Sequence, residues 1–229
     1  MNWAQFDRLI EEALAEDIGP GDVTAEALID EDLAARGVIE AGGPAVVCGL
    51  RVVERVFHRL DPQVRFEAHV KEGQEVREGQ VVAEVQGLAR ALLGGERCAL
   101  NLLQHLSGVA TLTREFVRRV GGAKARILDT RKTTPLWRAL EKYAVRVGGG
   151  TNHRMGLFDG VLIKNNHLAL VGDIREAVRR AKERCSRSMR VQVEVRSREE
   201  AERALAAGTD ALLLDNMTPE QVRACVQRV

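Results

Sequence analysis

Asp129, Arg131 and Lys132 lie close together in LDTRKTTP, residues 128–135, where an apolar run ends among three threonines. Arginine presents a planar fork that grips a carboxylate or phosphate through two parallel hydrogen bonds, whereas lysine is a compact point charge. Two adjacent cations directly after a hydrophobic segment therefore suit a small anion. A second pair, His153 and Arg154, follows the glycines of VGGGTNHR and adds a group that titrates near neutrality. Lys164 closes GVLIK, Glu194 lies within VQVEV, and Asp215 follows ALLL. Arg97, in GERCALN, stands near the expected start of a long helix, where the helix dipole disfavours a cation. The three glycines at 148–150 are not followed by Gly-Lys-Ser/Thr, which excludes a P-loop, and they read as a helix cap.

These residues need a scaffold that gathers them. Beyond Gly122 strand-like and helix-like segments alternate: ARILDT then PLWRALEKYAVRVG, GVLIK then DIREAVRRAKER, VQVEV then REEAERALAAG, ALLLD then PEQVRACVQRV. Such alternation predicts βα units on a parallel sheet, whose C-terminal strand ends all lie on one face, the face that binds ligands. Each of the four strands finishes in charge, so the cations and carboxylates are expected around one mouth. Solvated loops or mutual ion pairs would produce the same pattern. Within VQVEV, Val191, Val193 and Val195 alternate with Gln192 and Glu194, which places the polar pair on the opposite face. The helix after ARIL is expected to hold Pro135 in its first turn and Leu136, Leu140, Tyr143, Ala144 and Val147 on one face.

The preceding half reads differently. WAQFDRLIEEALAED is helical, and IGPGD ends it. GVIEA, AVVCG, VRFEAHV and VVAEV read as short strands of a mixed antiparallel sheet, with GLRVVERVFHRL as an inserted helix and KEGQEVREGQ as turns. A long helix is expected from Glu96 to Val120, joining the halves. The 229 residues carry a net charge of +1, which gives no general signal for nucleic acid or membrane. Locally, residues 1–40 hold eleven acids against Arg8 and Arg36, while residues 124–164 hold nine Lys or Arg against Asp129, Glu141 and Asp159. Cys48, Cys98, Cys185 and Cys225 are scattered, so neither a zinc site nor a disulfide framework is indicated, and a reducing, cytoplasmic setting is expected. No basic, apolar leader opens the chain and no run of eighteen apolar residues occurs, so no membrane association is expected.

Seven blocks in order, EDIGPGDVT (16–24), KEGQEVREGQ (71–80), GERCALNLLQHLSGVAT (95–111), DTRKTTPLWRALEKYAVRVGGGTNHR (129–154), LIKNNH (162–167), VEVRS (193–197) and LLLDN (212–216), make the chain resemble the quinolinate phosphoribosyltransferases, also called nicotinate-nucleotide pyrophosphorylases (carboxylating). The resemblance implies an α/β protein with an N-terminal mixed α/β sandwich over 1–105, which includes the start of the joining helix, and an α/β barrel over 106–229. It implies transfer of phosphoribose from phosphoribosyl pyrophosphate to quinolinate with loss of carbon dioxide, with Mg2+ as cofactor, in a homodimer or larger assembly. Carried over by motif, the substrate-binding set is Arg97, Thr130, Arg131, Lys132, His153, Arg154, Lys164, Glu194 and Asp215. Of these, Lys132, Lys164, Glu194 and Asp215 are implied to be catalytic, Glu194 and Asp215 to serve magnesium, and Arg97 to reach the partner subunit's site. Two departures stand out. Lys164-Asn165-Asn166-His167 replaces the family's Lys-Asp/Glu-Asn-His, and only four βα units are visible, short of the family's phosphate-binding glycine loops. Rival readings are a phosphoribosyltransferase for another acid, akin to a relative from molybdenum-uptake operons, and a fragment whose charges only pair with one another. VKEGQEVREGQVVAEVQG also resembles a biotinyl or lipoyl hammerhead, but it lacks the lysine such a hairpin needs at its tip.

Overall fold

Thirty-one residues between Ala89 and Arg119 form one unbroken helix, about 46 Å long at 1.5 Å per residue, in the computed structural model, which describes residues 2–227. The chain divides into two units, Met1–His153 and Arg154–Val229.

In the first unit a 3-10 turn leads into α1 (Asp7–Ile18), and α2 (Val23–Leu28) follows. The helix α2 was not expected; Asp22 caps it by accepting from Thr24 N and Ala25 N. β1 (Ala34–Glu40), β2 (Ala45–Val46), α3 (Leu50–Leu60), β3 (Arg65–Ala68), β4 (Glu75–Val76) and β5 (Val81–Leu88) come next. The sheet has the order β1-β5-β3, antiparallel throughout, and β2 and β4 form a separate antiparallel ribbon. α3 buries Val52, Val53, Val56 and Phe57, and Glu72 accepts from Gly49 N and Leu50 N at its start.

The long helix, α4 (Ala89–Arg119), buries Leu92, Ala99, Leu102, Leu103, Leu106 and Ala110 in the core shared with α1 and α3. It starts seven residues before the expected Glu96. Gly94 and Gly95 look like breakers in sequence but lie within the helix, and Gly95 serves close packing: a Cβ there would sit 3.0 Å from the Phe57 ring and 3.1 Å from Leu60. Arg97 therefore lies in the third turn of α4, and the dipole argument for its position does not apply.

The first expected βα unit also packs in this unit, and both of its elements are shorter than expected. ARIL is reduced to a single parallel bridge, Leu128 with Thr151, and the next residue of the partner segment, Asn152, donates its side-chain amide to Asp129. The helix α5 (Arg138–Val147) starts after Pro135, not at it. Leu136 adopts φ +68°, outside helical space, and its side chain is 81% exposed, while Leu140 and Ala144 are fully buried against the core. The glycine run after α5 does more than cap it, since a Cβ on Gly148 would lie 2.5 Å from the Ala110 carbonyl of α4.

The second unit alternates as expected: β6 (Val161–Ile163), α6 (Asn165–Val171), α7 (Ile174–Arg184), β7 (Val191–Val195), α8 (Arg198–Ala206), β8 (Ala211–Leu214) and α9 (Pro219–Val226). The order β6-β7-β8 is parallel, with Ile163 opposite Val193 and Val195 opposite Leu214. Val191, Val193 and Val195 are buried while Gln192 and Glu194 are not, which bears out the alternation read from sequence. The short α6 was not expected. Its first turn is closed by His167, whose Nδ1 accepts from Lys164 N at 2.9 Å. No helix among the described residues is long and apolar enough to cross a membrane.

Candidate active site

The cationic loop of the first unit runs from Asp129 to Thr134 between the bridge at Leu128 and α5. Asp129 carries most of its anchoring. Its carboxylate accepts from Lys142 Nζ, from Asn152 Nδ2 and, at 2.8 Å, from His153 N. Asp129 and Lys142 side chains are only 6% and 1% exposed. Lys142 also donates to the His153 carbonyl at 3.1 Å. Further along, Lys132 N donates to Thr130 Oγ1 at 3.0 Å, and Arg138 donates to Thr133 Oγ1 at 3.0 Å. At the loop's end Thr134 N donates to Glu141 Oε2 at 3.2 Å, and His105 Nε2 lies 2.9 Å from Glu141 Oε1. Burial works against the ionised Glu141, but the hydrogen bonds from Thr134 and His105 outweigh it and hold the carboxyl below its ordinary range.

A cavity of about 350 Å³ opens beneath this loop, lined by Asp129, Thr130, Lys132, Thr133, Glu141 and Lys142 together with Val109 and Val145. Lys132 is exposed. Arg131 is half-buried, and its Nε is the one buried side-chain polar atom without a hydrogen-bond partner among the described residues. A buried donor left unpaired is costly, of the order of 1–3 kcal/mol, unless something else accepts from it. Arg97 is exposed on α4, beside a groove of about 380 Å³ that it lines with Glu12, Glu16, Asn101, Leu136 and Trp137.

The remaining expected residues belong to the second unit. Arg154 donates to the Gly160 carbonyl at 2.9 Å. Lys164 follows β6 and N-caps α6, with Nζ 3.8 Å from Glu194 Oε2 on β7. The Glu194 side chain is 11% exposed. Asp215, just past β8, accepts from Arg196 Nε at 3.2 Å and from Asn216. Asn165 stands where the resembling family carries an acid. With its amide oriented to satisfy both neighbours, it donates to Glu194 Oε1 at 2.7 Å and accepts from Arg196. A second carboxylate there would pair with Arg196 but would face Glu194 with like charge. Among the described residues no three His, Cys, Asp or Glu are grouped to hold a metal by themselves.

The structure thus places Thr130, Arg131, Lys132 and His153 about one loop of the first unit, with Arg97 on the α4 groove, and gathers Lys164, Glu194 and Asp215 along the strand ends of the second. Sequence reasoning missed Lys142, Glu141, His105, Asn152 and Arg196. Lys142 alone left a trace, a charge between Leu140 and Ala144 on a helix that buries both.

Two domain profiles of one family match the chain: the quinolinate phosphoribosyl transferase N-terminal domain over residues 22–107, and its C-terminal domain over 109–229. The chain belongs to the quinolinate phosphoribosyl transferase family. The probable nicotinate-nucleotide pyrophosphorylase [carboxylating] of Bacillus subtilis is 44% identical over 223 residues, which are 97% of this chain and 77% of that protein. The nicotinate-nucleotide pyrophosphorylase [carboxylating] of Mycobacterium leprae is 42% identical over 96% of this chain and 78% of its own length. Among solved structures, NadC from Streptococcus pyogenes superposes with a TM-score of 0.95 at 41% identity, covering 99% of this chain and 80% of that one. The fold is accordingly that of the quinolinate phosphoribosyl transferase family, an N-terminal α/β domain followed by the strand–helix repeats of an α/β barrel.

Proposed function

We propose that the chain is the enzyme that joins quinolinate to phosphoribosyl pyrophosphate, giving nicotinate mononucleotide, pyrophosphate and carbon dioxide in de novo NAD synthesis. The observation that carries this reading is the adjacent cation pair, in which Arg131 has a buried Nε with no partner and Lys132 lines a formed cavity. A dicarboxylate supplies what that donor lacks, and an arginine fork matches a carboxylate in plane and spacing.

In this reaction the pyridine nitrogen attacks the anomeric carbon, the bond to pyrophosphate breaks, and the leaving group takes the electron pair. The chain's part is to hold two anions together against their repulsion, and such orientation can lower a barrier by several kcal/mol, up to about 7–11 in ideal cases. Arg131, Lys132, His153 and Arg154 serve the carboxylates. Lys164 balances the charge. Glu194 and Asp215 face the ribose as positive charge develops on it. Breaking the bond between carbon 2 and its carboxylate then leaves a pair that the cationic ring nitrogen stabilises until carbon 2 is protonated. Magnesium prefers oxygen ligands and commonly takes one or two carboxylates together with substrate phosphates and water. Glu194 and Asp215, at neighbouring parallel strands, are donors of that type and would hold the ion, which would neutralise diphosphate charge. The four free cysteines agree with a cytoplasmic setting.

The deciding assay measures quinolinate-dependent release of pyrophosphate and carbon dioxide with phosphoribosyl pyrophosphate and magnesium. Release of neither product, with no quinolinate binding by calorimetry, would reject the reading. The exposed Arg97 further supports a homodimer in which it completes the partner subunit's site. Mixing inactive Arg97→Ala and Lys132→Ala proteins should then restore part of the activity. No recovery after verified subunit exchange would contradict the shared site.

A further inference from the structure

We infer that Glu141 and Lys142, adjacent residues of α5, are positioning residues that tie down the two ends of the Asp129–Thr134 loop and thereby hold Arg131 and Lys132 ready for a dicarboxylate. The inference rests on the proposed function. Lys142 fixes the front of the loop: its Nζ bonds both the Asp129 carboxylate and the His153 carbonyl, and the same carboxylate accepts from His153 N. Glu141 fixes the back: one carboxylate oxygen accepts from Thr134 N and the other meets His105 Nε2. His105 is itself packed edge-on against Trp137, ring centroids 5.0 Å apart.

Stability does not explain this arrangement well. A buried ion pair recovers little more than its own desolvation cost, and apolar replacements of similar volume are often neutral or stabilising. An apolar residue at 142 would suit a helix that already buries Leu140 and Ala144. It would give no donor to the His153 carbonyl and would leave the Asp129 carboxylate buried beside two other donors only. What the charged pair adds is a fixed distance between Asp129 and His153, the residues from which the two cation-bearing segments depart.

The way the loop is held supports the same conclusion. Its ties run through the Asp129 carboxylate, the Thr133 hydroxyl and the Thr134 amide. Neither the Nε of Arg131 nor the exposed ammonium of Lys132 is spent on holding it. Preorganised donors need no rearrangement when the ligand arrives, which is the condition for strong electrostatic recognition.

The test uses the full chain and Lys142→Met, Glu141→Ala and Glu141→Gln variants, read by quinolinate calorimetry, KM for each substrate, thermal melting and trypsin cleavage after Arg131 and Lys132. We expect Lys142→Met to weaken quinolinate binding at least tenfold and to raise KM for quinolinate more than KM for phosphoribosyl pyrophosphate. New cleavage should be confined to this loop. Glu141→Ala should act in the same direction, and Glu141→Gln, which keeps an acceptor for Thr134 N, should recover most of the loss. Unchanged binding in folded Lys142→Met and Glu141→Ala overturns the inference, as does an equal rise in both KM values with cleavage throughout the chain. Should Lys142→Met fail to fold, the Glu141 pair decides alone. If the parent binds no quinolinate, the proposed function falls instead, and loop cleavage judges the clamp: faster cutting in the variants sustains it, and unchanged cutting ends it.

Discussion

Both units present charge at the ends of strand-like segments, but they treat it in opposite ways. In the first, a pair with side chains 1% and 6% exposed anchors the loop from below, and the Arg131 Nε has no partner. In the second, the charges answer one another: Lys164 faces Glu194, and Arg196 holds Asp215, with Lys164 44% and Arg196 53% exposed. Under the proposed function the first arrangement is the seat for an anion, since the buried Arg131 Nε has no protein partner to give up. The second is a set of pairs whose cations are exposed while the Glu194 and Asp215 side chains are 11% and 31% exposed, and under the proposed function they are exchanged for a ribose, a metal ion or its diphosphate. On that proposal, a rigid site for the small dicarboxylate and an adaptable one for the large, metal-bearing donor would be different solutions to binding two anions.

The sharpest way to break this contrast is Arg131→Ala. If the unpaired fork is the seat, its removal should weaken quinolinate binding by about 2–3 kcal/mol, roughly 30- to 150-fold, with little effect on phosphoribosyl pyrophosphate. Equal losses for the two ligands in calorimetry would place Arg131 outside the dicarboxylate site. A smaller effect is expected where the loop meets α5. Leu136 has φ +68°, a conformation that costs a side chain with a Cβ roughly 1–2 kcal/mol, and glycine would adopt it freely. Leu136 is 81% exposed, so little packing is lost on its removal. Leu136→Gly should therefore stabilise the folded chain by about 1 kcal/mol, seen as a raised Tm. A lowered Tm would mean that the leucine is held in that conformation by contacts made on assembly or binding.

How much of this was legible in the sequence differs by element. The parallel strands of the second unit follow from the strand–helix rhythm, and the buried face of β7 from period-2 alternation, since each of its valines has one place to go. The antiparallel strands were readable as short β-like runs between turn residues, and α3 as the helix inserted among them. Errors fell where one residue type serves two purposes. Gly94 and Gly95 precede the expected start at Glu96 yet lie inside α4, where Phe57 and Leu60 crowd the position of Gly95. Pro135 reads as a helix start, yet the left-handed Leu136 delays α5 to Arg138. The cations at Arg131 and Lys132 were visible as a motif. The groups that hold them were not: Lys142 left only the trace of a charge between Leu140 and Ala144, and its partner Asp129, 13 positions away, is set by folding.

The smallest expected effect tests the second unit directly. Arg196 contributes a partly exposed ion pair to Asp215 and touches the Asn165 amide, so Arg196→Ala removes contacts that solvent already weakens. The expected loss of stability is under about 1 kcal/mol, and it should shrink further in high salt, because the charges involved are screened. Freed from its guanidinium, Asp215 should bind magnesium and phosphoribosyl pyrophosphate at least as well as before, while quinolinate binding stays unchanged. A large fall in Tm, or donor binding lost along with Arg196, would show the pair to be a built element like Lys142 with Asp129. The distinction between a fixed seat and an exchangeable one would then fail, because both units would rely on charges locked in place before either substrate arrives.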